Sequence, residues 1–207
     1  RTGLKLEGLY NTFNAAAALA TVRMVLAAGP QSGRNASFGW VENSEVPGTA
    51  AIIDALAEVR PAFGRGERLE LDGQPLELVL VKNPAGFRLA LASFAAEGVS
   101  TMIAINDQYA DGRDMSWLWD VDFGSLAEGG VEMVAGARAW DMALRLEHDD
   151  VPVGQVEEDL SRALRQFRER TMPANGAGRP RRIFCTYTAM LALRKELATL
   201  TEVEDIW

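Results

Sequence analysis

Residues 76–105 read LELVLVKNPAGFRLALASFAAEGVSTMIAI. The first six residues are an apolar run broken only by Glu77, and the last seven (VSTMIAI) are another. Runs of this length, rich in Val, Ile and Leu and with no polar alternation, suit strands buried on both faces. Between them, residues 84–97 carry apolar side chains at helical spacing and open on Pro84, where a missing N–H costs nothing. A buried strand, a helix and a second buried strand make one crossover unit, and such units stack into a parallel sheet covered on both sides.

The pattern continues downstream. Residues 131–135 predict a strand, 138–147 a helix, 154–170 one long helix, 182–186 a last strand and 188–200 a last helix. Upstream, residues 68–71 predict a short strand joined to the next by a turn at Asp72-Gly73. The expected fold is therefore α/β, a doubly wound, mostly parallel sheet. Residues 14–28 and 48–59 read as two further helices, the first stopped by Gly29-Pro30 and the second by Arg60-Pro61. Residues 31–47, rich in Gly, Ser and Asn, read as a loop. The change of pattern near residues 61–66 predicts a domain boundary, with domains at 1–60 and 61–207.

Composition narrows the functional classes. The chain has 207 residues, with 29 Asp+Glu against 21 Lys+Arg, a formal net charge of −8. An acidic balance argues against nucleic-acid binding, which needs clustered Lys and Arg. No stretch of about 18 apolar residues exists, so no transmembrane segment is expected. Cys185 and His148 are the only residues of their types. One Cys and one His cannot build a zinc site or a catalytic Cys-His pair. Cys185 is expected to be an inert core thiol and His148 a solvated surface residue. No GxxxxGK[ST] phosphate loop is present, so this chain alone is expected not to hydrolyse ATP. The lone Gly64-Arg65-Gly66 reads as a turn. A single unpaired cysteine points to a reducing, cytoplasmic compartment.

Ligands of doubly wound sheets sit outside the carboxyl ends of the strands. That directs attention to residues 82–86 and 106–122. The second segment holds Asn106, Asp107, Asp111, Arg113, Asp114, Asp120 and Asp122, interleaved with Tyr109, Trp117 and Trp119. A carboxylate beside Trp can orient a histidine as in a catalytic triad. This chain offers no such histidine, so one would have to come from another chain.

Several stretches resemble the Mur ligase family. GLYNTFNAAA at residues 8–17 is similar to the Asn motif in the last helices of the family's central ATPase domain. AFGRGE at residues 62–67 resembles the linker into the C-terminal domain, and KNPAG at residues 82–86 a loop of that domain. NDQYADGRDMSWLWD at residues 106–120 is similar to a signature of the MurT-type subunits of lipid II isoglutaminyl synthases, and Thr186-Tyr187-Thr188-Ala189 resembles their last strand–helix junction.

The resemblance implies a Mur ligase C-terminal α/β domain preceded by the last helices of the ATPase domain. It implies an ATP-dependent amide ligase that converts the α-carboxyl of D-glutamate in the lipid II stem peptide to D-isoglutamine. The ammonia would come from a GatD-type glutaminase partner in a heterodimer, at the inner face of the bacterial membrane. Asn11 and Asn14 would approach the nucleotide's adenine and Arg65 its phosphates, while Lys82, Asn83 and Gly86 would shape the substrate cleft. Asp120 would complete the partner's triad, with Asp122 the main competitor, Asp114 a lesser one ranked with Asp111 as structural, and no catalytic Asp in this loop as the remaining alternative. If the segment is extended, Asp122 shares the face of Asp120. Family members carry a phosphate loop and a four-cysteine zinc ribbon ahead of the matching point. The expectation is thus the C-terminal part of such a subunit, with ATP and Mg2+ serving the full-length protein, zinc held elsewhere, and this chain alone inactive with no cofactor bound. The runner-up is a Mur-type or folylpolyglutamate-type ligase adding an amino acid instead of ammonia, and a third reading is a scaffold that docks a glutaminase.

Overall fold

The computed structural model describes residues 9–28, 47–59, 65–93, 98–172 and 178–203. Nearly all of the expected loop at 31–47 and most of the expected boundary at 61–66 lie outside the described residues. The chain divides into two compact units, Arg1–Arg60 and Pro61–Trp207.

In the first unit, helix α1 spans Leu9–Ala28 and α2 spans Thr49–Ala57. Helix α1 begins earlier than residue 14 and takes in residues 9–17 of the Asn motif. Its alanine-rich sequence has high intrinsic helix propensity.

The second unit is built on six strands in the order β1-β2-β6-β3-β4-β5: Arg65–Leu71, Gln74–Leu80, Ser100–Ala104, Met133–Ala135, Val156–Glu157 and Arg181–Cys185 for β1 to β6. All neighbours are parallel except β1, which runs antiparallel to β2. Asp72 (φ 56°) and Gly73 (φ 71°) both take the left-handed conformation of a tight two-residue hairpin turn. Arg65, expected in a turn, instead opens β1, and Gly66 (φ 79°) sits at a bulge between Arg65 and Glu67. Glycine meets that φ without the steric cost of a Cβ.

Strands β3, β4 and β6 are buried at every residue, the apolar residues as strands covered on both faces require, and Arg181 and Arg182 at the head of β6 through their partners. Helices α3 (Pro84–Ser93) and α4 (Ala139–His148) cover one face, where Phe87, Leu91, Met142 and Leu146 join Ile103, Ile105 and Phe184. Helices α5 (Leu160–Thr171) and α6 (Tyr187–Leu197) cover the other with Leu164, Phe167, Met190 and Leu193. Charged residues enter the sheet's amino-terminal end only with partners. Arg181, fully buried, donates to the Leu71 carbonyl at 2.8 Å and to Thr171 Oγ1 at 2.7 Å, and pairs with Asp72 at 3.3 Å.

One expectation is corrected. Residues 154–170 do not form a single helix: Val156–Glu157 is edge strand β5, and α5 starts at Leu160. The break lies at Asp159, whose carboxylate accepts from Arg162 N–H at 2.8 Å and caps the helix. Gly154 N–H donates to the Val131 carbonyl at 2.8 Å, and a Cβ there would lie 2.7 Å from the Glu132 carbonyl.

Candidate functional site

The strand order reverses between β6 and β3. The segment after β3 crosses one face of the sheet, while the helix after β6 lies on the other, which opens a crevice at their carboxyl ends. Asn106 and Asp111 follow β3; Thr186 and Thr188 follow β6. These four side chains form one network. Asn106 N–H donates to Thr186 Oγ1 at 2.9 Å, and Asn106 Nδ2 to Thr188 Oγ1 at 3.1 Å. The other amide atom, Asn106 Oδ1, accepts from Ala137 N–H at 3.0 Å and ties in the turn before α4. In that turn Gly136 (φ 94°) lies so close to the Ile105 carbonyl that a Cβ would come within 2.4 Å of it.

Asp111 is buried, and its carboxylate accepts from Thr188 N–H at 2.8 Å, from Thr188 Oγ1 at 2.5 Å and from Gln108 N–H at 3.1 Å. Thr188 N–H is one of the orphan donors in the first turn of α6. Asp111 therefore caps α6 from 77 residues away, and its charge sits at the positive end of the helix dipole. Asp107 pairs with Arg138 at 2.8 Å.

Beyond this network the chain makes a 3₁₀ turn, Ser116–Asp120. Three residues per turn put i and i+3 in register. Met115, Leu118 and Val121 point inward accordingly, and all three are buried. The turn ends at Asp120 and Val121 is extended (φ −103°, ψ 133°), so Asp120 and Asp122 are told apart by their bonding. The carboxylate of Asp122 accepts from Gly124 N–H at 2.8 Å, and that of Asp114 from Ser116 N–H at 2.9 Å. The Ser116 hydroxyl and N–H hold the Asp114 carboxyl below the usual aspartate range.

Asp120 is exposed, and among the described residues its carboxylate makes no hydrogen bond or ion pair. The two tryptophans divide. Trp117 is half-buried, with its ring 6.5 Å from that of Phe87. Trp119 is 49% exposed, with its ring beside His148 at 5.6 Å. His148 is exposed, as expected of a surface histidine.

The backbone around Asp120 is gripped by three side chains that sequence reading missed. Arg88 of α3 donates to the Asp120 carbonyl. Arg145 of α4, only 6% exposed, donates to the Val121 carbonyl at 2.5 Å and pairs with Asp149 at 2.6 Å. Its guanidinium lies 5.4 Å from the ring centres of both Trp119 and Phe123. The other oxygen of Asp149 accepts from Phe123 N–H at 2.8 Å. The Arg145 guanidinium holds the Asp149 carboxyl below its usual range. One signal was readable: Arg145 lies three residues after Met142 and one before Leu146, on the apolar face of its helix.

The remaining predicted residues are scattered. Asn83 precedes α3, and its Oδ1 accepts from Gly86 N–H at 2.7 Å, the bond of a helix cap with Pro84 in the first position. Gly86 leaves room for that bond, since a Cβ would lie 3.2 Å from the same oxygen. Lys82 is exposed at the carboxyl end of β2. Asn11 is buried on α1, and Asn14 one turn later is exposed. The Arg65 side chain lies outside the described residues. Cys185 is fully buried, and burial pushes its thiol up, so it is no thiolate nucleophile. Among the described residues no three His, Cys, Asp or Glu gather as a metal site.

Comparison with known proteins agrees with this architecture. A family model described as MurT ligase C-terminal matches residues 80–190. The lipid II isoglutaminyl synthase (glutamine-hydrolyzing) subunit MurT of Streptococcus pneumoniae is 30% identical over 203 residues, covering 95% of this chain and 40% of that protein. The subunit of the same name from Staphylococcus aureus is 31% identical over 165 residues, covering 77% of this chain and 33% of that protein. The chain thus spans two-fifths or less of the length of these curated relatives. Among solved structures, a pseudomurein peptide ligase type C from Methanothermus fervidus superposes with a TM-score of 0.60 at 11% identity, over 96% of this chain and 37% of that one. MurF from Acinetobacter baumannii does so with 0.58 at 16%, over 94% and 39%. At such identities the likeness is one of fold.

Proposed function

The chain belongs to the MurT ligase C-terminal family, and on that premise we propose that it receives a glutaminase subunit and completes that subunit's catalytic triad. The observation that carries this reading is the Asp120 carboxylate. It is exposed beside Trp119 and unengaged among the described residues, whereas Asp107, Asp111, Asp114 and Asp122 in the same segment are all bonded within the chain. A glutaminase histidine needs a carboxylate to fix its tautomer and to stabilise the imidazolium as it forms. Trp119 supplies apolar interface area, and the water it excludes strengthens the carboxylate–imidazolium contact.

In the whole subunit, the activity is amidation of the α-carboxyl of D-glutamate in the lipid II stem peptide, with ammonia released by a GatD-type glutaminase. The work is done in the cytoplasm at the inner face of the membrane. ATP, with Mg2+, supplies the phosphoryl group that activates the carboxyl. Asn11 and Asn14, one turn apart on α1, share a helix face, and their amides suit the edge of a purine. Arg65 suits the phosphates. Lys82 faces the substrate cleft, on a loop whose shape Asn83 and Gly86 fix through the helix cap. Zinc belongs to a part of the subunit outside this sequence. A ligase that adds an amino acid is the weaker reading, because both curated relatives carry the isoglutaminyl synthase name.

The test is Asp120→Asn in the full-length subunit, co-purified with its glutaminase. The complex assembles, and glutamine hydrolysis falls by up to about 10⁴-fold, the loss seen when a triad carboxylate becomes an amide. Undiminished hydrolysis in an intact complex removes the triad role. Failure to assemble makes Asp120 an interface residue.

A further inference from the structure

We propose that Arg145, Asp149 and Arg88 are positioning residues for glutamine hydrolysis: they lock the backbone of residues 120–123 so that the Asp120 carboxylate meets the partner's histidine already in place. This rests on the triad reading of Asp120 and adds a mechanism to it.

The grip is unusually dense for an exposed turn. Carbonyls 120 and 121 and N–H 123 are each bonded to a charged side chain, from α3, from α4 and from the residue just past α4. Arg145 is buried. Burying an ion pair removes two charges from water, a cost its mutual attraction repays only with good geometry and further hydrogen bonds. Among the described residues Arg145 Nη2 bonds this turn and Nη1 pairs with Asp149, whose second oxygen returns to the turn at Phe123, while Nε and Nη1 make no hydrogen bond. The sheet's own hydrogen bonds do not involve the pair. Trp119 and Phe123 enclose the guanidinium, so the ring beside Asp120 is held by the same group. The outcome is a fixed backbone under a carboxylate with no partner among the described residues. Reacting groups need this kind of support, since a misplacement of about 1 Å costs on the order of 10²-fold in rate.

The experiment uses the full-length subunit in complex with its glutaminase and glutamine as substrate. Lysine in Arg145→Lys keeps the charge but cannot hold the Val121 carbonyl and Asp149 together with one planar fork. Its kcat for glutamine hydrolysis falls about 10- to 100-fold, while KM for glutamine and the affinity between subunits stay within about threefold, on the scale of ordinary substitution effects. In an Asp120→Asn background the same substitution adds no further loss, because residues acting as a unit are not additive. An equal loss in both backgrounds overturns the proposal, as does a loss confined to KM or to assembly. If Asp120→Asn alone leaves hydrolysis intact, the triad reading fails and the proposal falls with it, a separate and recognisable result. Should the melting temperature show that Arg145→Lys does not fold, exposed Arg88 serves instead. Arg88→Ala lowers kcat, Arg88→Lys restores part of it, and neither changes turnover once Asp120 is Asn.

Discussion

Two carboxylates nine residues apart in one loop, Asp111 and Asp120, are used in opposite ways. Asp111 is buried at the switch point and accepts three hydrogen bonds, two of them from Thr188 at the head of α6. Asp120 is exposed on a 3₁₀ turn, and its side chain meets nothing among the described residues while its backbone is clamped. In the first, side chain serves backbone. In the second, side chains from two helices hold a backbone so that one carboxylate stays free. An exposed carboxylate over a clamped backbone is what the proposed triad role requires.

The largest effect that separates the two is reciprocal. Asp111→Ala leaves the Thr188 N–H and hydroxyl and the Gln108 N–H without their acceptor. Thr188 is half-buried and Gln108 exposed, so water replaces part of the lost acceptor. From about 1–3 kcal/mol for a fully buried group left unsatisfied, the expected total loss of stability is about 2–3 kcal/mol, read by denaturant unfolding. Asp120→Asn moves stability by no more than about 0.5 kcal/mol, as for other surface substitutions, while abolishing glutamine hydrolysis in the complex. Equal stability losses in the two variants would erase the contrast.

The next effect concerns Trp119, the exposed member of the pair. Trp119→Ala is expected to weaken the complex with the glutaminase by about 2 kcal/mol, the size of an interfacial hot spot, measured by titration calorimetry. Trp117→Ala should act on folding instead, because its ring packs on Phe87. If both substitutions weaken only the complex, the two rings belong to one surface and the division seen here is not functional.

What the sequence disclosed follows from how local the physics is. The apolar runs in β2 and β3 declare burial on both faces, and Asp72-Gly73 declares its turn, because each signal is complete within a few residues. The edge strand β5 was lost in a predicted long helix, since two residues beside a cap carry no periodicity of their own. Asp120 was legible through resemblance, but the reason it differs from Asp122 was not. That rests on the Gly124 N–H, which engages the Asp122 carboxylate, and on a 3₁₀ turn that leaves Asp120 exposed while Met115, Leu118 and Val121 reach the core, a tertiary fact. The clamp is less local still. Arg88 and Arg145 lie 32 and 24 residues from the carbonyls they hold, and Thr188 lies 77 from Asp111.

A smaller effect is expected at Asn83, where one residue was given a role in the cleft and its side chain caps a helix. Asn83→Ala should cost about 1 kcal/mol of stability, the usual worth of an N-cap. Glutamine hydrolysis per folded molecule in the complex should not change, in contrast to Asp120→Asn. A drop in turnover with stability intact would move Asn83 from the cap to the chemistry.

The smallest effect tests the engaged carboxylates at the turn itself. Asp114 is fully exposed, yet the hydroxyl and N–H of Ser116 hold its carboxyl below the ordinary aspartate value of about 3.9. Both donors favour the charged form, so the folded state keeps its proton off at pH values where the unfolded chain takes one up. The contribution of this contact is therefore fully present above the ordinary value and is lost as pH falls through the lowered folded one. Carboxyl chemical shifts followed through an acid titration should place the Asp114 midpoint below that of an unstructured aspartate. Ser116→Ala removes the hydroxyl and keeps the N–H, so it should bring the midpoint part of the way back. An unmoved midpoint would mean that the backbone N–H alone holds the charge. A midpoint at the ordinary value in the unsubstituted protein would mean that Asp114 is as unengaged as Asp120, and that the turn offers two free carboxylates to a partner instead of one.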